Sequence, residues 1–179
     1  MKEFNQSITN MILVYLLFVV LSLFQTTFWF QVFHPIPAPN LWLPVVVYVT
    51  IYRQIGISLL TLIILAFALF TLSSKPINLF FLSLLAVALV THLVRMKFFW
   101  TGSSYFLMSC MISIVSYHVF SWLLSVNFEA NFLRSPRWGA WFMELSFTPI
   151  VAPLIYSLLK KIDQLTDFQE PGEFGFDRL

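Results

Sequence analysis

Any chemistry inside a chain this apolar has to come from its few polar side chains, and two of them draw the first attention: His118 and Glu144. Glu144 is the only acid within the long apolar runs read below as spans, and an ionisable group at the centre of a bilayer costs about 2.5–3.5 kcal/mol on insertion scales, so it needs a partner. His118 lies about eight residues from the end of one predicted helix and Glu144 about six from the start of the next; at a rise of about 1.5 Å per residue both sit roughly 10 Å deep. One reading pairs them in the bundle interior as a polar buttress. The other takes Glu144 to the outer interface, or to Arg137, seven residues earlier on nearly the same helix face. In the same helix Pro149 and Pro153, four residues apart, each remove a backbone hydrogen bond and are expected to bend it. Such breaks line substrate sites in some transporters, although a structural kink is their commoner meaning.

The remaining chemical candidates fall away on spacing. Cys110 is the single cysteine, so no intrachain disulfide forms, and its place in mid-run suits a small buried hydrophobe rather than a nucleophile. His34, His92 and His118 occupy three different segments without metal-ligand spacing. Ser73-Ser74-Lys75 lacks the Ser-x-x-Lys step of the Ser-Lys hydrolases, because position 72 is Leu. Asn5-Gln6-Ser7 fits a glycosylation acceptor, but on the side predicted to be cytoplasmic. No catalytic, cofactor-binding or metal-ligating set is expected, and no enzymatic activity.

The elements that position these groups are membrane helices. The chain has 179 residues, 59% hydrophobic and 10% charged, with a mean hydropathy of +0.85; soluble domains carry about a quarter charged residues. Stretches such as 54–74 and 98–128 contain no Asp, Glu, Lys or Arg, and about 20 helical residues cross a hydrocarbon core about 30 Å thick. Proline, Asn and charged residues punctuate the runs into six helices near 9–30, 40–53, 55–73, 77–95, 103–126 and 138–160, making residues 1–161 one all-α polytopic bundle. The second is short, with Pro44 near its start, and fits either a tilted span or a re-entrant piece. The first is too long, and lacks the small-x-small site, to be a cleaved secretory signal.

Lysine and arginine set the orientation. Six spans with both ends inside place Lys2, Arg53, Arg95, Lys97, Lys160 and Lys161 in the cytoplasm, against Lys75, Arg134 and Arg137 outside. The stretch from His34 to Pro39, with alternating prolines, becomes an extended outer spacer. Trp29, Trp138 and Trp141 mark the outer interface and Trp100 the inner one. The segment 162–179, with Asp163, Asp167, Glu170, Glu173 and Asp177, reads as a solvated acidic cytoplasmic tail in which Pro171-Gly172 stops any continuing helix.

The order of these elements resembles the MreD family of rod-shape-determining membrane proteins. Gln25-Thr26-Thr27 closes the first helix, where that family often carries a Gln-Ser/Thr step. Pro39-Asn40-Leu41-Trp42-Leu43 opens the second, and Arg53 followed by Gly56 resembles the basic turn into the third. Ser73-Ser74-Lys75-Pro76-Ile77 is similar to a Ser-Gly-Ser-Pro-Leu loop. The run from Thr148-Pro149-Ile150-Val151-Ala152-Pro153 to Lys160-Lys161 resembles the closing helix with its basic end. The likeness covers roughly residues 11 to 161. One departure is Phe70, where family members often carry an Asp three residues before the loop.

The resemblance implies a six-helix bundle in the bacterial inner membrane, similar to the substrate-binding subunits of energy-coupling-factor transporters, without catalytic activity. It would bind an MreC-like membrane protein and, through it, help organise MreB and the cell-wall synthases of lateral peptidoglycan synthesis. Membrane lipids are further expected partners, and nucleic acid is not. The shared architecture supplies the alternative, a vitamin- or metal-capturing transport subunit. Against that, the first helix from Met11 to Phe30 has neither Ala nor Gly to let a partner helix approach closely, and the outer loops hold few polar groups to converge on a ligand.

Overall fold

The computed structural model describes residues 2–33, 36–72, 77–97, 102–128 and 138–168. Among them every regular element is helical. Helix α1 (Lys2–Leu23) passes through a π-helical turn at Phe24–Phe28 into α2 (Trp29–Phe33). Then come α3 (Leu43–Tyr52), α4 (Ile55–Leu72), α5 (Ile77–Lys97), α6 (Ser103–Phe128) and α7 (Trp138–Leu165). Four helical runs are long and apolar enough to cross a membrane: Gln6–Phe33, Asn78–Lys97, Ser103–Phe128 and Trp138–Leu165. The two shorter apolar helices, α3 and α4, pack between them.

The architecture follows from which helix is apolar on every side. In α3 each residue from Leu43 to Ile51 is buried, and the helix touches α4, α5, α6 and α7. A helix apolar all round belongs in the centre of a bundle. At 10 residues it is only about 15 Å long, so the chain completes this layer with the non-helical stretch 36–42. Irregular backbone is tolerated inside a membrane protein only where its polar groups find partners, and here three of its N–H groups do. The Ile36 N–H donates to the Phe33 carbonyl at 2.7 Å, Asn40 N–H to Thr148 Oγ1 at 2.9 Å and Leu41 N–H to Gln25 Oε1 at 3.0 Å. Pro37 and Pro39 have no donor to satisfy. The stretch is therefore more than a spacer: it is an entry into α3 stitched by side chains to the π-helical turn after α1 and to α7. His34 and Pro35, its first two residues, lie outside the described residues.

The outer faces are apolar as well. Ile12, Leu16 and Val20 on α1 and Ile150 and Leu154 on α7 are each more than half exposed. Contiguous apolar faces of this size are not left in water by soluble proteins; the bilayer is their solvent.

Two expectations need correction. Helix α7 does not end at residue 160 but continues to Leu165, and Asp163 is buried rather than part of a solvated tail. The reason lies in the register: Thr148, Ala152, Ile155, Leu159 and Asp163 recur at helical spacing along the buried face, so the side that carries Lys160 and Lys161 is the opposite, exposed one. Residues 169–179 lie outside the described residues. Arg53, expected as a solvated loop cation, is only 3% exposed, because it caps α3 with its side chain turned towards that same carboxylate. Helix α7 passes through Pro149 and Pro153 without a break in its helical assignment.

Candidate functional site

Five side chains from three helices meet at the end of the bundle where α3 stops and α7 ends. Helix α3 closes on Arg53, whose backbone is extended at φ −113° and ψ 158° while its N–H still donates to the Val49 carbonyl. That turn of direction projects the guanidinium across the bundle rather than along the axis. From α7 comes Asp163, one turn beyond Leu159 on the buried face. Asn10 arrives from α1 and is 1% exposed.

Their hydrogen bonds form a closed circuit. Arg53 Nη2 donates to Asp163 Oδ1 at 2.5 Å and to Asn10 Oδ1 at 2.9 Å. Asn10 Nδ2 donates to Asp163 Oδ1 at 2.7 Å and to Thr166 Oγ1 at 2.8 Å. The hydroxyl of Tyr48, one of the most deeply buried side chains, donates to Asp163 Oδ2 at 2.6 Å. One carboxylate thus takes three donors, and its charge is balanced by one guanidinium. A buried ion pair is tolerated where further hydrogen bonds satisfy its polar atoms, and here both carboxylate oxygens and Arg53 Nη2 are bonded.

The end of α7 supplies the rest of the enclosure. The Phe168 N–H donates to the Asp163 carbonyl at 2.9 Å and the Asp167 N–H to the Gln164 carbonyl at 3.3 Å, with Asp167 in the left-handed region at φ 49°. This is a Schellman termination, and Asp is among the few residues other than Gly that enter that region readily. The reversal lays the Phe168 ring against the guanidinium, 4.0 Å from the Arg53 carbon to the ring centroid. The Tyr48 ring lies 5.6 Å from the same carbon. Among the described residues Arg53 Nη1 has no hydrogen-bond acceptor, and the two aromatic rings supply favourable contact to the guanidinium.

A second polar pair lies between the long helices α6 and α7. His118 Nε2 and Glu144 Oε2 are 3.0 Å apart, with side chains 12% and 20% exposed. Trp141, one turn before Glu144, stacks on the imidazole at 4.9 Å between ring centroids, and Trp138 packs edge-on against Trp141. The first reading of Glu144, a contact with His118, is present in the structure; Arg137, its partner in the second, lies outside the described residues. Cys110 is fully buried on α6. Among the described residues no three His, Cys, Asp or Glu side chains gather as metal ligands.

Sequence reasoning missed the Arg53–Asp163 circuit while naming both residues for other reasons. Arg53 served as a topology marker and Asp163 as a tail acid. The signal that would have joined them is the four-residue step from Leu159 to Asp163, which continues the apolar stripe with an acid. A buried carboxylate calls for a charge partner, and Arg53 is the one it bonds.

In this circuit both oxygens of the Asp163 carboxylate accept hydrogen bonds. What it can do is hold α1, α3 and α7 in one arrangement. Searches against protein-family models, curated proteins and solved structures found no match to the chain.

Proposed function

We propose that this chain is a non-catalytic membrane scaffold that crosses the bilayer six times with both termini on the cytoplasmic side. It presents its lipid-exposed helix faces to another membrane protein. The observation that carries this reading is where the polar groups go. Arg53, Asp163, Asn10, Tyr48 and Thr166 bond one another, and His118 bonds Glu144, so they brace helices instead of converging on a cavity. A site for a vitamin or a metal needs polar groups aimed into an open space. The groove between α4 and α5 is lined almost wholly by apolar side chains.

The partner comes from the likeness to the MreD family, whose motifs in this chain sit at structurally committed points. Gln25 holds the Leu41 N–H, Thr148 holds the Asn40 N–H, and Arg53 enters the buried circuit. On this reading an MreC-like protein docks on the exposed aromatic and aliphatic faces of the outer helices and links the bundle to MreB and the synthases of lateral peptidoglycan. The inner membrane of a bacterium is then its location.

The test is extraction of the tagged full chain from its native membrane in mild detergent and identification of what stays bound by mass spectrometry. Recovery of an MreC-like protein together with cell-wall synthases is the expected result. Recovery of a transmembrane coupling subunit with paired ATPases would replace the scaffold by a transport subunit.

A further inference from the structure

Helices α4 and α5 enclose a groove of about 360 Å³ against the side of α3. Its floor is Thr50, Leu62, Leu84 and Ala88, all buried, and exposed side chains such as Leu59, Leu85 and Leu89 form its rim. The Thr50 hydroxyl is spent on the Val46 carbonyl at 2.8 Å, so the floor offers a ligand little polarity. The two ends differ. Towards the start of α4 and the end of α5 stand Ser58 and His92. One turn beyond His92, the last turn of α5 carries Arg95 and Lys97. Arg95 reaches the α3–α4 junction, where its Nη1 donates to the Arg53 carbonyl at 3.3 Å. The other end, at Ile63 and Phe81, is apolar.

Length identifies the occupant. The lining runs from Ile55 to Ile63 on α4 and from Phe81 to His92 on α5, about 12 and 16 Å at 1.5 Å per residue. Half of a hydrocarbon core about 30 Å thick is about 15 Å. The groove thus runs from the end of α5 that carries Arg95 over a length comparable to that of one leaflet's acyl chain. A partner helix is a poorer fit, because close helix approach uses small residues and the rim is built of Leu, Ile and Phe. Charge selects the headgroup: Arg95, one turn beyond His92, stands at that end of the groove beside the α3–α4 junction, while the nearby buried acid Asp163 is already neutralised by Arg53. We infer that this groove is a binding site for an anionic phospholipid, with one acyl chain between α4 and α5 and the phosphate-bearing headgroup at His92 and Arg95.

The experiment uses the full chain reconstituted in vesicles of equal phosphatidylglycerol and phosphatidylcholine with matched acyl chains. It is then taken into mild detergent and weighed by native mass spectrometry. The first retained lipid is expected to be phosphatidylglycerol, favoured about fivefold for each basic side chain near the headgroup. Arg95→Gln, which removes the cation at that end of the groove, should lower that preference about fivefold. Leu89→Trp on the exposed rim should remove the adduct of both lipids. Equal retention of the two lipids by the wild-type chain, an undiminished adduct in Leu89→Trp, or a lipid-free dimer in place of the adduct would overturn the assignment.

Discussion

Replacing Asp163 should unsettle the whole bundle, and the size of the effect follows from its contacts. In Asp163→Ala three buried donors each lose an acceptor at once, Arg53 Nη2, Asn10 Nδ2 and the Tyr48 hydroxyl, although Arg53 Nη2 keeps Asn10 Oδ1 and Asn10 Nδ2 keeps Thr166 Oγ1. Leaving a buried donor unpaired costs about 1–3 kcal/mol, more where it is charged, and breaking a buried ion pair by removing one partner costs about 3–5 kcal/mol. These estimates describe overlapping losses, so about 3–5 kcal/mol is the expected total. Asp163→Asn keeps an acceptor for one donor but leaves the guanidinium without a counter-charge, so it should fall in the lower part of that range. The double substitution Arg53→Met with Asp163→Leu removes both charges together and fills much of the volume. Buried pairs exchanged in this way are often neutral or better, so the double variant should be more stable than either single one. The assay is reversible unfolding of the purified chain in lipid–detergent mixtures, followed by helix signal, with the coupling taken from the double-mutant cycle. Strict additivity of the two single losses, or an Asp163→Ala variant within about 0.5 kcal/mol of the parent, a size typical of surface substitutions, would show that the circuit does not hold the helices together.

The second pair should behave more gently. His118→Ala and Glu144→Ala each remove one side of a half-buried contact, and their cycle should give a coupling of about 0.5–1 kcal/mol in the same unfolding assay; zero coupling would mean that the 3.0 Å contact contributes nothing to stability. Thr148→Val keeps the shape of the side chain but strands the Asn40 N–H in the interior, so a loss of about 1–3 kcal/mol is expected. Amide exchange at Leu41 and Trp42 should quicken with it, because that stretch has no helix of its own to protect it.

Much of the bundle is legible without coordinates, and the reason is the solvent. Where water is absent the backbone must satisfy itself, so a long apolar run has the helix as its one local solution. The runs near 77–95 and 103–126 coincide closely with α5 and α6. Depth counting also worked for His118 and Glu144, because both lie in long continuous helices whose rise per residue is constant. It failed for α7 at its far end. Lys160 and Lys161 looked like the edge of the membrane, yet they occupy the exposed side of a helix whose buried side runs on to Asp163.

Composition and hydropathy by themselves determined that this is a helical membrane protein, roughly where its helices lie, and that one half-buried acid needed a partner. Tertiary structure alone decided that Arg53 and Asp163, 110 residues apart, form the innermost charge pair, and that Gln25 and Thr148 close the entry to α3. The physical reason is that hydropathy is a sum over neighbours along the chain, whereas the solvation of a buried charge depends on which distant helix faces it. Only packing around the all-apolar α3 brings α1, α3 and α7 close enough for one carboxylate to serve three donors.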